Sequence, residues 1–79
     1  MTHRLEFSAN EINEQQLFAH LNDGTRINVD GYSLSIEKDI FGDFDVWITD
    51  PYGSDLGFRR YTVEACGDLL ARIRAADPN

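Results

Sequence analysis

The dipeptide Asp30-Gly31 stands between two short stretches, Arg26 to Val29 and Tyr32 to Ile36, that alternate apolar and polar residues. A two-residue type I′ turn needs positive φ at both central positions, and Asp-Gly meets that need with little strain, so a hairpin is predicted here. A bulge inside one longer strand is the competing reading. In the second stretch Tyr32, Leu34 and Ile36 share one face while Ser33, Ser35 and Glu37 share the other. That two-residue period belongs to a strand with one side in a core.

The same period recurs on both sides of the hairpin. His3, Leu5 and Phe7 alternate with Arg4 and Glu6, which predicts a first strand with His3 facing inward. After a turn over Lys38 to Asp43, Phe44, Val46 and Ile48 alternate with Asp45, Trp47 and Thr49. Asp50-Pro51-Tyr52-Gly53 is a further turn, with proline fixing φ at its second position. A last strand runs from about Leu56 to Tyr61, with Leu56 and Phe58 set opposite Gly57, Arg59 and Tyr61, and Arg60 breaking the alternation at its end.

Helical periodicity occupies the two remaining segments. Ser8 and Glu11 have the spacing of a capping box, which predicts a helix starting at once, with Ile12, Leu17, Phe18 and Leu21 near one stripe and Glu14, Gln15 and Asn22 in water. Gly24 is the expected left-handed stop. Thr62 is the expected N-cap of the second helix, with Glu64 in its first turn. Its core stripe is Cys66, Leu69, Leu70 and Ile73; Arg72 and Arg74 suit its C-terminal end, and Asp77-Pro78 stops it.

The order β-α-β-β-β-β-α predicts an α+β fold: a mostly antiparallel sheet of four to five strands, with both helices on one face. Residues 1–79 are read as a single domain, because a chain of 79 residues cannot build two cores. A hydrophobic fraction of 42 % with nine aromatic residues supports a folded core despite the net charge of −7. One face of the sheet is left for water or a partner.

Several function classes recede on composition. The one cysteine, Cys66, excludes an internal disulfide, and no Cys/His spacing suits zinc. The start of the chain lacks the apolar run of a signal peptide, and no stretch approaches the ~18 apolar residues of a membrane span, so a cytoplasmic protein is expected. Fourteen acids against seven bases weigh against direct binding to nucleic acid or to an anionic membrane. The same imbalance suits a protein partner with a basic surface, whose encounter it would accelerate.

Two constellations carry the binding reading. Between Glu37 and Asp55 lie six acids, Glu37, Asp39, Asp43, Asp45, Asp50 and Asp55, against the single base Lys38. Such carboxylates can mimic phosphates toward a protein that grips nucleic acid, although aspartate is also favoured in turns and a charged surface also serves solubility. The alternation places Trp47, Arg59 and Tyr61 together on the outer sheet face, beside Asp45, Ser33 and Ser35. Trp, Tyr and Arg dominate binding hot spots, while a cross-strand pair covering Trp47 would be a purely structural use of the same residues.

Catalysis and metal binding find less support. Asp39, Asp43 and Asp45 follow D-x-x-x-D-x-D, which is not the calcium-loop series and lacks its bidentate glutamate. His3 and His20 are read as structural, and Cys66 as a small buried hydrophobe. Neither a catalytic residue, a metal nor a cofactor is assigned.

The leading expectation is therefore a non-catalytic protein-binding module that inhibits or regulates a basic, nucleic-acid-binding assembly. In scale and charge the chain resembles the small acidic inhibitors made by bacteriophages, including anti-CRISPR and anti-restriction proteins, and that resemblance would imply a host cytoplasm. A homo-oligomeric structural or accessory subunit is the second reading, and a small metal-dependent enzyme the third.

Overall fold

The hairpin turn forms where Asp30 and Gly31 place it, with φ of 49° and 89° respectively. The computed structural model describes residues 4–76. His3 and Asp77-Pro78, assigned above to an inward strand position and a helix stop, lie outside the described residues. The elements are β1 (Arg4–Phe7), α1 (Glu14–Asn22), β2 (Arg26–Val29), β3 (Tyr32–Lys38), β4 (Phe44–Thr49), β5 (Asp55–Arg60) and α2 (Val63–Ala76). They form one five-stranded sheet in the order β1-β2-β3-β4-β5.

Only the β1–β2 pair is parallel, because α1 carries the chain back to the same end of the sheet before β2 begins. The other three pairs are antiparallel and joined by short loops. The α+β architecture and the element order thus agree with the sequence. The core is the layer between sheet and helices. Leu17 and Leu21 of α1, Ile27, Val29, Leu34, Val46 and Ile48 of the strands, and Cys66, Leu69, Leu70 and Ile73 of α2 are all buried in it. Burying each leucine or isoleucine side chain stabilises the fold by about 1.5–3 kcal/mol.

The first helix begins later than the Ser8/Glu11 spacing predicts. Its N-cap is Asn13, whose Oδ1 accepts from Gln16 N–H at 2.9 Å while Gln16 Oε1 accepts from Asn13 N–H at 3.0 Å. Ser8 and Glu11 instead close a turn, with Glu11 N–H donating to Ser8 O at 2.9 Å. The capping-box pattern occurs twice within nine residues, and the second copy forms the cap. Segment 8–13 is pinned from two sides. Asp30 Oδ2 accepts from Ala9 N–H at 3.0 Å, and Arg74 of α2 donates from Nε to Ala9 O at 2.9 Å and from Nη2 to Ile12 O at 3.1 Å. Arg74 is therefore a clamp between layers rather than only a charge at a helix end.

The last strand departs from strict alternation. Two steps along β4, from Trp47 to Thr49, match three along β5, from Phe58 to Asp55, so β5 carries one extra residue. Gly57 absorbs it at φ 99°, and Asp55 Oδ1 accepts from Gly57 N–H at 2.8 Å. A bulge of this kind reverses which residues of a strand face the core. Leu56 packs against the core, Phe58 turns outward opposite Trp47, and Arg59 pairs with the buried Val46 on the helix side. The alternation of the sequence, broken only at Arg60, sets Phe58 inward and Arg59 and Tyr61 outward. All three assignments are corrected.

Candidate partner interface

Three cross-strand rows define the middle of the outer face. Ser33, Thr49 and Asp55 form one, Ser35, Trp47 and Phe58 the next, and Glu37, Asp45 and Arg60 the third. In the central row the Trp47 and Phe58 rings stack with centroids 4.7 Å apart, which leaves Trp47 half-buried and Phe58 57 % exposed. Stacked aromatic pairs contribute about 0.5–1.5 kcal/mol beyond their buried area. The outward aromatic of this face is thus a pair, and its bare member is Phe58.

The acids of Glu37 to Asp55 divide by the work that their oxygens do. Asp39 Oδ1 accepts from Phe41 N–H and Asp43 N–H, both at 2.9 Å, and Asp50 Oδ1 accepts from Tyr52 N–H at 2.9 Å and Ser54 N–H at 2.8 Å. Asp55 holds the bulge. These three carboxylates build the loops they sit in, as aspartate does at tight turns. Asp43 meets Arg60 at 3.6 Å with both side chains about half exposed or more, an ion pair of about 0–1 kcal/mol. Asp45, between Glu37 and Arg60 in its row, is only 8 % exposed. It cannot serve as an acid at the rim of the face; Glu37, Asp43 and Asp55 are the exposed members of the set, and Asp55 also accepts from Gly57 N–H.

Arg59 and Tyr61 belong to the other side of the sheet. Arg59 Nη1 reaches Asp68 of α2 at 3.4 Å. Tyr61 stacks on Phe18 of α1, centroids 4.2 Å apart and planes within 4°, and its hydroxyl donates to Phe18 O. Burial pushes the Tyr61 hydroxyl up to about 12, helped by the neighbouring negative charges of Cys66 and Asp23 when ionised. Tyr61 ties the end of the sheet to α1 and is not part of an outer patch.

Two bare apolar residues of the region carry no assignment from the sequence. Ile40 is 94 % exposed and Phe41 83 % exposed, side by side at the tip of the β3–β4 loop. Asp39 N–H donates to Asp43 O at 2.8 Å and Gly42 N–H to Asp39 O at 3.1 Å, so the tip is fixed by four hydrogen bonds, counting the two to Asp39 Oδ1. Asp39, Ile40, Phe41, Asp43, Asp45, Phe58, Arg59 and Arg60 line one open cleft of about 550 Å³. The signal for this site was present in Asp39-Ile-Phe-Gly: two large apolar residues inside a turn too short to bury them.

The histidine and cysteine chemistry is structural where it is described. The His20 ring packs on Phe7 with centroids 5.3 Å apart. Burial pushes the Cys66 thiol up to about 11, so it stays protonated at neutral pH and is a poor nucleophile. Among the described residues no group of three His, Cys, Asp or Glu side chains is placed to hold a metal ion, and no helix is long and apolar enough to cross a membrane. In comparisons with protein-family models, with curated proteins and with solved structures, nothing matches this chain.

Proposed function

We propose that the chain is a non-catalytic protein-binding module that inhibits or regulates a basic, nucleic-acid-binding protein assembly, acting in the cytoplasm. It contacts that partner through the β3–β4 loop and the adjoining edge of the outer sheet face. The observation that carries this reading is Ile40 and Phe41, held bare by a rigid loop between the carboxylates of Asp39 and Asp43. An exposed apolar pair lowers the solubility of a chain this small, and fixing it in place removes much of the ordering cost of docking. Apolar anchors ringed by charge are the usual anatomy of a binding hot spot, and a net charge of −7 favours a basic partner.

Simple phosphate mimicry accounts for less of this surface. In their row Glu37 and Asp45 lie beside Arg60, and Asp45 is covered. Charge then steers the encounter while the loop tip supplies the lasting contact. The test is affinity capture from the native host with the wild-type chain and with Glu37→Lys/Asp43→Lys, over a range of salt concentrations. The variant is expected to retain the fold, bind its partner more slowly and show a flatter salt dependence. Capture of the same proteins with the same salt dependence by both chains would contradict the reading.

A further inference from the structure

The cleft beside the β3–β4 loop has a property that a purely acidic docking surface lacks, because it carries both signs of charge. Asp39 and Asp43 stand on the loop side and Arg60 on the strand side, Arg59 also lines the cleft but pairs with Asp68 of α2, and the bare Ile40, Phe41 and Phe58 complete it. We infer that this corner is self-complementary and is covered by a second copy of the chain. A two-fold axis through an isologous contact sets each patch against itself in reverse. The acidic loop of one copy then lies over Arg60 of the other, and both apolar tips leave water together.

The strand edge favours contact through side chains over extension of the sheet. Edge strand β5 is broken by the bulge at Gly57 and ends in two arginines, both of which discourage a neighbouring strand from pairing with it. The tip needs no rearrangement to dock, since its four hydrogen bonds are already made. A contact built on one loop and one strand end is small, and interfaces below about 1,200 Å² give weak, reversible association. Dimer and monomer are therefore expected to exchange in the micromolar range. The inference needs no second protein and stands apart from the proposed partner, which would compete with the second copy for the same corner.

Sedimentation equilibrium of the full chain from about 5 to 500 µM tests it, the upper limit being chosen for a small interface. The wild type is expected to shift from monomer toward dimer across that range. Ile40→Ser/Phe41→Ser should remain monomeric throughout with an unchanged melting temperature, because both side chains are exposed. Arg60→Glu should weaken the dimer, and Asp43→Arg/Arg60→Asp, which restores both the internal pair and its mirror across the axis, should recover it. A wild type that stays monomeric at 500 µM, or tip variants that dimerise as it does, would overturn the inference. Either result leaves the partner reading to stand or fall on capture, which is done at low concentration.

Discussion

The loops at the two ends of β4 are built alike and equipped differently. Asp39-Ile-Phe-Gly-Asp and Asp50-Pro-Tyr-Gly-Ser share one circuit: the first N–H donates to the fifth carbonyl at 2.8 and 2.9 Å, the glycine N–H returns to the aspartate carbonyl at 3.1 Å in both, and the aspartate Oδ1 accepts from the third and fifth N–H groups. Gly42 and Gly53 close them at φ 87° and 91°. At one end Pro51 lies against the hairpin turn, where a Cβ on Gly31 would meet it at 3.2 Å, and the loop shares a cleft with Ile73 and Ala76 of α2. At the other end Ile40 and Phe41 project beside Phe58 and the arginines. The same frame thus rests Pro51 against a neighbouring turn in one place, with Tyr52 93 % exposed, and leaves both tip residues bare in the other; the loops differ at the two tip residues and at the fifth position, Asp43 against Ser54.

If the frames are equivalent, equal damage should have equal effect. Gly42→Val and Gly53→Val each force a β-branched residue into positive φ and should cost about 1–3 kcal/mol, read from chemical denaturation. A loss at one loop only would break the equivalence. Asp39→Ala and Asp50→Ala each strip two N–H groups of their acceptor and should cost about 1–2 kcal/mol, with only Asp39→Ala also weakening dimer and partner contacts.

A smaller effect separates both loops from the layer beneath them. Tyr61→Phe removes the hydrogen bond to Phe18 O and should cost about 0.5–1.5 kcal/mol at neutral pH. That cost shrinks in alkali. Tyr61 and Cys66 have folded-state values raised from 10.0 to about 12 and from 9.0 to about 11, so the folded state holds its protons longer than the unfolded chain. The stability they contribute is complete below pH 9 and is lost as pH rises through 12. Urea titrations across that window should show a shallower decline for Tyr61→Phe than for the wild type; parallel curves would remove Tyr61 from the account. The smallest effect on stability is expected from exchanging the tips themselves. Ile40→Pro/Phe41→Tyr and Pro51→Ile/Tyr52→Phe should each alter unfolding free energy by less than about 1 kcal/mol, since all four side chains are exposed.

How far the sequence speaks is visible in β4 and β5. Along β4 the alternation of Phe44, Val46 and Ile48 with Asp45, Trp47 and Thr49 survives into the structure, because a strand paired on both sides has its register fixed by each neighbour. Along β5 one glycine changed the parity, and with it the faces of Phe58, Arg59 and Tyr61. The clue was the glycine inside a strand pattern, yet nothing in the linear sequence tells a bulge from a weak spot. The first helix teaches a similar lesson, since Asn13/Gln16 and Ser8/Glu11 satisfy the same capping rule, and the segment between them is held by tertiary hydrogen bonds from Asp30 and Arg74 that no local pattern announces. Of the candidate site, Glu37 and Trp47 lie on the face where the period placed them, and Asp43 lies in the turn expected over Lys38 to Asp43. Asp45 also faces outward but is covered, which depends on its neighbours across two strands. Ile40 and Phe41 were legible as unburied apolar residues in a turn, whereas Phe58 needed the bulge.

The central claim is that function resides in what the β3–β4 frame displays, and exchanging the tips tests it most directly. Affinity capture from the native host would compare the wild type with the Ile40→Pro/Phe41→Tyr chain and the Pro51→Ile/Tyr52→Phe chain, each first verified as folded by its melting curve. The account expects the first exchange to lose the basic partner and the second to keep it. Retention of the same partner by the Ile40→Pro/Phe41→Tyr chain would contradict it.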